Sequence, residues 1–91
     1  MANHADAIKR NRQNAVRRQR NRTYRTTLRN QVKAIREAIE AGDAGKAQEL
    51  LPVVTRTLHR TAQKGVIHQK NADRRISRIA RAVNALSGDN S

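Results

Sequence analysis

Leu28-Arg29-Asn30-Gln31-Val32-Lys33-Ala34-Ile35-Arg36-Glu37-Ala38-Ile39-Glu40-Ala41-Gly42-Asp43 holds both the pattern of a packed helix and the signal that ends it. At about 100° per residue, Leu28, Val32, Ile35 and Ile39 fall within about 60° of one another on a helical wheel. That is a stripe suited to a core. Gly42 is the residue type that accepts the left-handed backbone of a helix end, and Asp43 is a favoured cap for a helix that follows.

Downstream, a second helical segment is expected from about Ala44 to Lys64. Leu51, Val54, Leu58 and Ala62 share one face, while Arg56, Arg60 and Lys64 lie roughly opposite, within about 80°. Pro52 has no backbone N–H, which predicts a kink or break near residues 48–52. Gly65 followed by Val66 reads as a second helix stop. A third segment is expected from about Gln69 to Leu86. There Ala72, Ile76, Ile79, Ala80, Val83 and Leu86 fall within about 120°, and Lys70, Arg74, Arg75, Arg78 and Arg81 within about 140° on the other side.

Upstream of Leu28 the first helix is expected to reach back to about residue 5, to make some 37 residues and about 55 Å. Its first half has almost no apolar stripe: between residues 8 and 22 only Ile8, Ala15 and Val16 qualify. A third segment of 18 residues spans about 27 Å, so half of the first helix has no partner of its own chain. The class predicted is all-α, an antiparallel three-helix bundle with a long, protruding basic N-terminal helix. The parts are a basic arm over 1–25, the bundle over 26–86 and a flexible tail over 87–91. The expected core is Leu28, Val32, Ile35, Leu51, Val54, Leu58, Ile76, Ile79 and Val83.

Charge decides the class of partner. The 91 residues carry 20 Lys+Arg against 7 Asp+Glu, a net charge of +13, with a pI near 11.8. Residues 1–36 hold +10, with Asp6 their only acid, residues 37–55 hold −3, and residues 56–91 hold +6. A short basic run is commonly just a solvated face. An arm this cationic, with Asp6 as its single local acid, calls for a polyanion. The acidic middle is the part least suited to touch one. Arg18 with Arg22, and Arg25 with Arg29, are like-charge neighbours that each cost a few tenths of a kcal/mol in an isolated helix, about 0.2–0.5. The arm is therefore expected to be largely disordered when free and to order against a polyanion.

Lys9, Arg10, Arg12, Arg17, Arg18, Arg20, Arg22, Arg25 and Arg29 cover almost the whole circumference of a helix. Charge on all sides suits a crevice in folded RNA better than the flank of a straight DNA duplex. Arginine predominates, with 15 Arg and 5 Lys, and guanidinium pairs bidentately with phosphate. Tyr24 is the single aromatic residue, so base stacking of the single-strand-binding type is not the mode. Phosphate contact and shape reading remain.

Other classes find little support. There is no cysteine, and His4, His59 and His68 lack metal-ligand spacing. Asp6, Asp73 and Asp89 are isolated, the serines have no evident base partner, and no glycine loop is placed to cradle phosphate. No catalytic residue, metal or cofactor is expected. The arm lacks the Trp, Phe and Leu face that enters a lipid interface, and no apolar run approaches the roughly 18 residues of a membrane span. No secretory leader is apparent either, so a soluble intracellular protein is expected. A nucleoid-type basic helical DNA-binding protein is the alternative, although no helix-turn-helix spacing and no zipper after the basic arm support it.

Lys64-Gly65-Val66-Ile67-His68-Gln69-Lys70-Asn71-Ala72-Asp73-Arg74-Arg75-Ile76-Ser77-Arg78-Ile79 resembles the signature of the S-twenty family of bacterial small-subunit ribosomal proteins, typically KGVIHKNKAARRKSRL. The opening Met1-Ala2-Asn3-His4 is similar too, as are Lys9-Arg10, Arg12-Gln13, Arg20-Asn21 and the turn from Ala38 to Asp43. Asp73 and Ile76 depart from the family's usual alanine and lysine, and Lys70-Asn71 stands one position off the usual order. The resemblance implies a structural, non-enzymatic protein on the ribosome in the cytoplasm. It would bind small-subunit ribosomal RNA directly and support assembly, with other small-subunit proteins as possible neighbours, one copy per subunit and no homo-oligomer. It further implies RNA phosphate contacts from the arm cations named above, and from Lys64, His68, Lys70, Arg74, Arg75 and Arg78.

Overall fold

The computed structural model describes residues 4–88. Three helices make up the fold: α1 over His4–Glu40, α2 over Ala44–Gln63 and α3 over Gln69–Gly88. They form the expected antiparallel bundle with an overlong first helix. The molecule measures 67 × 21 × 14 Å, and the long axis is set by α1, whose 37 residues rise by about 55 Å.

Each inter-helix turn is built on a glycine with left-handed backbone, Gly42 at φ 73° and Gly65 at φ 76°. At the first turn the Gly42 N–H donates to the Ile39 carbonyl (3.1 Å) and the Asp43 N–H reaches back to Ala38 (2.9 Å). At the second, the Gly65 N–H donates to Ala62 (2.9 Å) and the Val66 N–H to Thr61 (3.1 Å). The six-residue return bonds are those of a Schellman end, which satisfies carbonyls that the helix leaves open. Asp43 then starts α2, its Oδ1 accepting the Lys46 N–H at 3.1 Å.

α2 is the middle element. It packs along both other helices, whereas α1 and α3 barely meet. Leu28, Ile35, Val54, Leu58 and Val83 are buried as expected, and Val32, Leu51, Ile76 and Ile79 pack half-buried against them. Ala38, Ala47, Ala72 and Thr61 are also buried. The three alanines let helix backbones approach closely, and the Thr61 hydroxyl is satisfied by donating to the Thr57 carbonyl at 2.6 Å.

Of the expected kink or break at Pro52, the break does not occur: the helix is continuous from Ala44 to Gln63. Pro52 is exposed, so the carbonyl of Gln48 that loses its usual donor lies on the watered side of the helix. Ala47 before it and Val54 and Leu58 after it are buried, so both halves of the helix are anchored in the core. α3 runs on to Gly88, two residues beyond the expected end. Residues 89–91, within the expected tail, lie outside the described residues, as do residues 1–3 of the arm.

Candidate nucleic-acid interface

Every residue from His4 to Arg20 is exposed. Burial on α1 begins with Asn21 and Tyr24, both half-buried, and becomes complete at Leu28. The arm thus leaves the bundle within a turn of residue 25 and continues as a free rod. Lys9, Arg10, Arg12, Arg17, Arg18, Arg20 and Arg22 stand on it with solvent all round. Ile8 and Val16 are 46% and 63% exposed, as expected of a helix without a core-facing side.

The divergence of α1 from α3 opens a groove of about 890 Å³. Arg25, Arg29, Lys33 and Arg36 line it from α1, and Asn71, Arg74, Arg75 and Arg78 from α3. Leu28, Val32 and Ile79 form an apolar floor, and Glu37 and Glu40 lie at the end nearest the first turn. A smaller recess of about 230 Å³ continues it past Ile39 and Ala82. Seven cations thus face one concave, apolar-floored trough. Such a concavity focuses positive potential and favours a phosphate backbone over an isolated anion. The acids at one end give the trough a direction, with positive charge from Arg25 to Arg36 and acids beyond.

The structure therefore brings Arg25, Arg29, Arg74, Arg75 and Arg78 of the expected set into one surface, and leaves the other arm cations strung along the rod. Lys64, His68 and Lys70 sit apart, exposed at the second turn. Lys64 closes α2, and its N–H donates to Arg60 at 3.1 Å. His68 starts α3, with Nδ1 accepting the Lys70 N–H at 3.1 Å. Lys33, Arg36 and Asn71 were not among the expected contacts. The signal that finds Lys33 and Arg36 is angular: with Arg25 and Arg29 they fall within about 80° of a helical wheel. Asp73, the acid among these arginines, is tied down by Gln69, whose Nε2 donates to Asp73 Oδ1 at 2.9 Å.

Among the described residues no group of three or more His, Cys, Asp or Glu side chains gathers as a metal site would. No helix there is long and apolar enough to cross a membrane.

A bundle with a cationic rod and a cationic trough defines a helical polyanion-binding protein. The family of that class is set by comparison with known proteins. The profile of the family "Ribosomal protein S20" matches residues 2–84. The chain is 52% identical over 87 residues to a protein named small ribosomal subunit protein bS20 from Desulfotalea psychrophila, covering 94% of this chain and 97% of that one. It is 46% identical over 88 residues to its namesake from Desulfatibacillum aliphaticivorans, covering 97% and 100%, and 48% identical over 86 residues to that of Campylobacter curvus, covering 94% and 97%. The chain belongs to the ribosomal protein S20 family. It is a structural constituent of the small ribosomal subunit in the cytoplasm and not an enzyme, as the resemblance implied.

Proposed function

We propose that this constituent of the small subunit holds small-subunit ribosomal RNA through two surfaces, the free rod of α1 and the trough between α1 and α3. The observation that carries this reading is the convergence of Arg25, Arg29, Lys33, Arg36, Arg74, Arg75 and Arg78 on one groove. The folded chain draws seven like charges together, and phosphate lowers the cost of that arrangement. The trough engages a sugar–phosphate ridge, with guanidinium forks on the phosphates and the apolar floor against ribose.

The basic arm, residues 1–25, contributes Lys9, Arg10, Arg12, Arg17, Arg18, Arg20 and Arg22 to a crevice with phosphates on several sides. Lys64, His68 and Lys70 add contacts from the second turn. The bundle over 26–86 fixes the trough and the direction in which the rod leaves. Holding RNA segments against one rigid body supports subunit assembly. One copy per subunit suffices, with other small-subunit proteins as neighbours rather than a second copy of this chain.

Crosslinking the purified protein to small-subunit RNA, with the crosslinked residues mapped, tests this reading. Crosslinks are expected from the rod, from both walls of the trough and from the second turn. Crosslinks confined to the outer face of α2, or equal capture by duplex DNA at matched salt, would contradict it.

A further inference from the structure

We propose that His68 has two faces, one capping α3 and the other donating a hydrogen bond from Nε2–H to an RNA phosphate oxygen; this rests on the RNA-binding reading above. The second inter-helix turn delivers the residue. Gly65 takes the left-handed backbone, the Val66 N–H is tied to Thr61, and Ile67 packs against the core. His68 is therefore set in place by the chain before it. Its carbonyl accepts the N–H groups of Asn71 (3.0 Å) and Ala72 (3.1 Å), and its Nδ1 accepts the Lys70 N–H (3.1 Å). That is the work of a helix N-cap, usually given to Ser, Thr, Asp or Asn.

What imidazole adds to the capping acceptor is a donor at the far end of the ring; Ser, Thr and Asp have no nitrogen, and the Asn amide ends short of that point. A neutral imidazole carries one N–H. With Nδ1 bare to accept from Lys70, the hydrogen must be on Nε2. The ring geometry points Nε2 away from the backbone that Nδ1 meets, and His68 is exposed. Lys64 and Lys70, both exposed, stand on either side of it in the chain, and the nearest acid in sequence, Asp73, is engaged by Gln69. The donor is thus fixed in tautomer on a stretch of chain that carries two exposed lysines, where a phosphate oxygen is the fitting acceptor. Capping and RNA contact are two uses of one ring, and the cap orients the donor.

Asparagine separates the two. Its Oδ1 reproduces the Nδ1 acceptor and caps well, while its own Nδ2–H2 donor stands short of the position of Nε2 and does not reach the same phosphate oxygen. In the full chain, His68→Asn is expected to keep the thermal midpoint of wild type and to bind a small-subunit ribosomal RNA transcript about three- to tenfold more weakly at fixed salt. His68→Ala is expected to lower both. Nitrogen NMR of the histidine-labelled free protein should find Nδ1 bare and Nε2 protonated, and the Nε2 proton should exchange more slowly with water once RNA is bound. Wild-type affinity in His68→Asn, a hydrogen on Nδ1, or an Nε2 proton whose exchange RNA does not slow would overturn the proposal. The NMR arms decide it even if the variant unfolds. Failure of the wild type to bind the transcript would instead sink the RNA reading itself, and this proposal with it.

Discussion

The Val66 N–H reaches back over Gly65 to the carbonyl of Thr61 at 3.1 Å, and that one bond turns the chain from α2 toward the cap of α3. Gly65 holds φ 76°, and a Cβ added there would meet nothing within 4 Å. The space is free, but the conformation disfavours any L side chain. Gly65→Val should therefore destabilise by at least about 1–2 kcal/mol through backbone strain alone. Thermal denaturation should show a midpoint lowered by several degrees, and an unchanged midpoint would mean that the turn relaxes without cost.

Leu58 is 0% exposed and Val53 on the same helix is 38% exposed. Leu58→Ala should cost on the order of 2–5 kcal/mol, much of the stability of so small a domain. Val53→Ala should stay within about 0.5 kcal/mol, as surface changes do. Urea denaturation of the two variants measures the contrast, and equal losses would contradict the packing described.

Asp43 closes α1 with its N–H and opens α2 with its side chain. Removing only the second function, Asp43→Ala should cost about 1 kcal/mol. Asp43→Asn keeps an acceptor for the Lys46 N–H and should recover most of that loss in the same denaturation assay.

Much of this was legible in the chain. The stripe Leu28, Val32, Ile35, Ile39 and the glycines at 42 and 65 placed all three helices, because periodicity and φ > 0 positions are local properties. Pro52 did not foretell an unbroken helix, because its tolerance depends on which side of α2 meets water and on Val54 and Leu58 anchoring the far half. Ala38, Ala47 and Thr61 escaped the core reading because small or polar side chains declare burial only once a neighbouring helix presses on them. The trough was legible only in part. Arg74, Arg75 and Arg78 stood out as a stripe, but their meeting with Arg25, Arg29, Lys33 and Arg36 depends on α2 lying between the outer helices. The capping role of His68 leaves no mark in composition.

The trough predicts a particular response to salt. If rod and trough together neutralise six to ten phosphates, affinity for ribosomal RNA should fall about 10³–10⁵-fold between 50 and 200 mM salt. Arg75→Ala should weaken binding and flatten the log–log salt slope by about 0.7–0.9. Lys46→Ala, at the acidic end of the molecule, should leave both unchanged. Filter binding across a salt series provides the slopes.

The most direct measurement is amide hydrogen exchange along α1, with and without small-subunit ribosomal RNA. From His4 to Arg20 every side chain is exposed, so no core packing supports the helix there, and helical stretches of that length without such support are marginal in water. The account predicts fast exchange over residues 4–20 in the free protein, slow exchange over 28–39, and protection of the rod once RNA is added. A rod protected as strongly as the bundle without RNA, or one whose exchange RNA leaves unaltered, would contradict it.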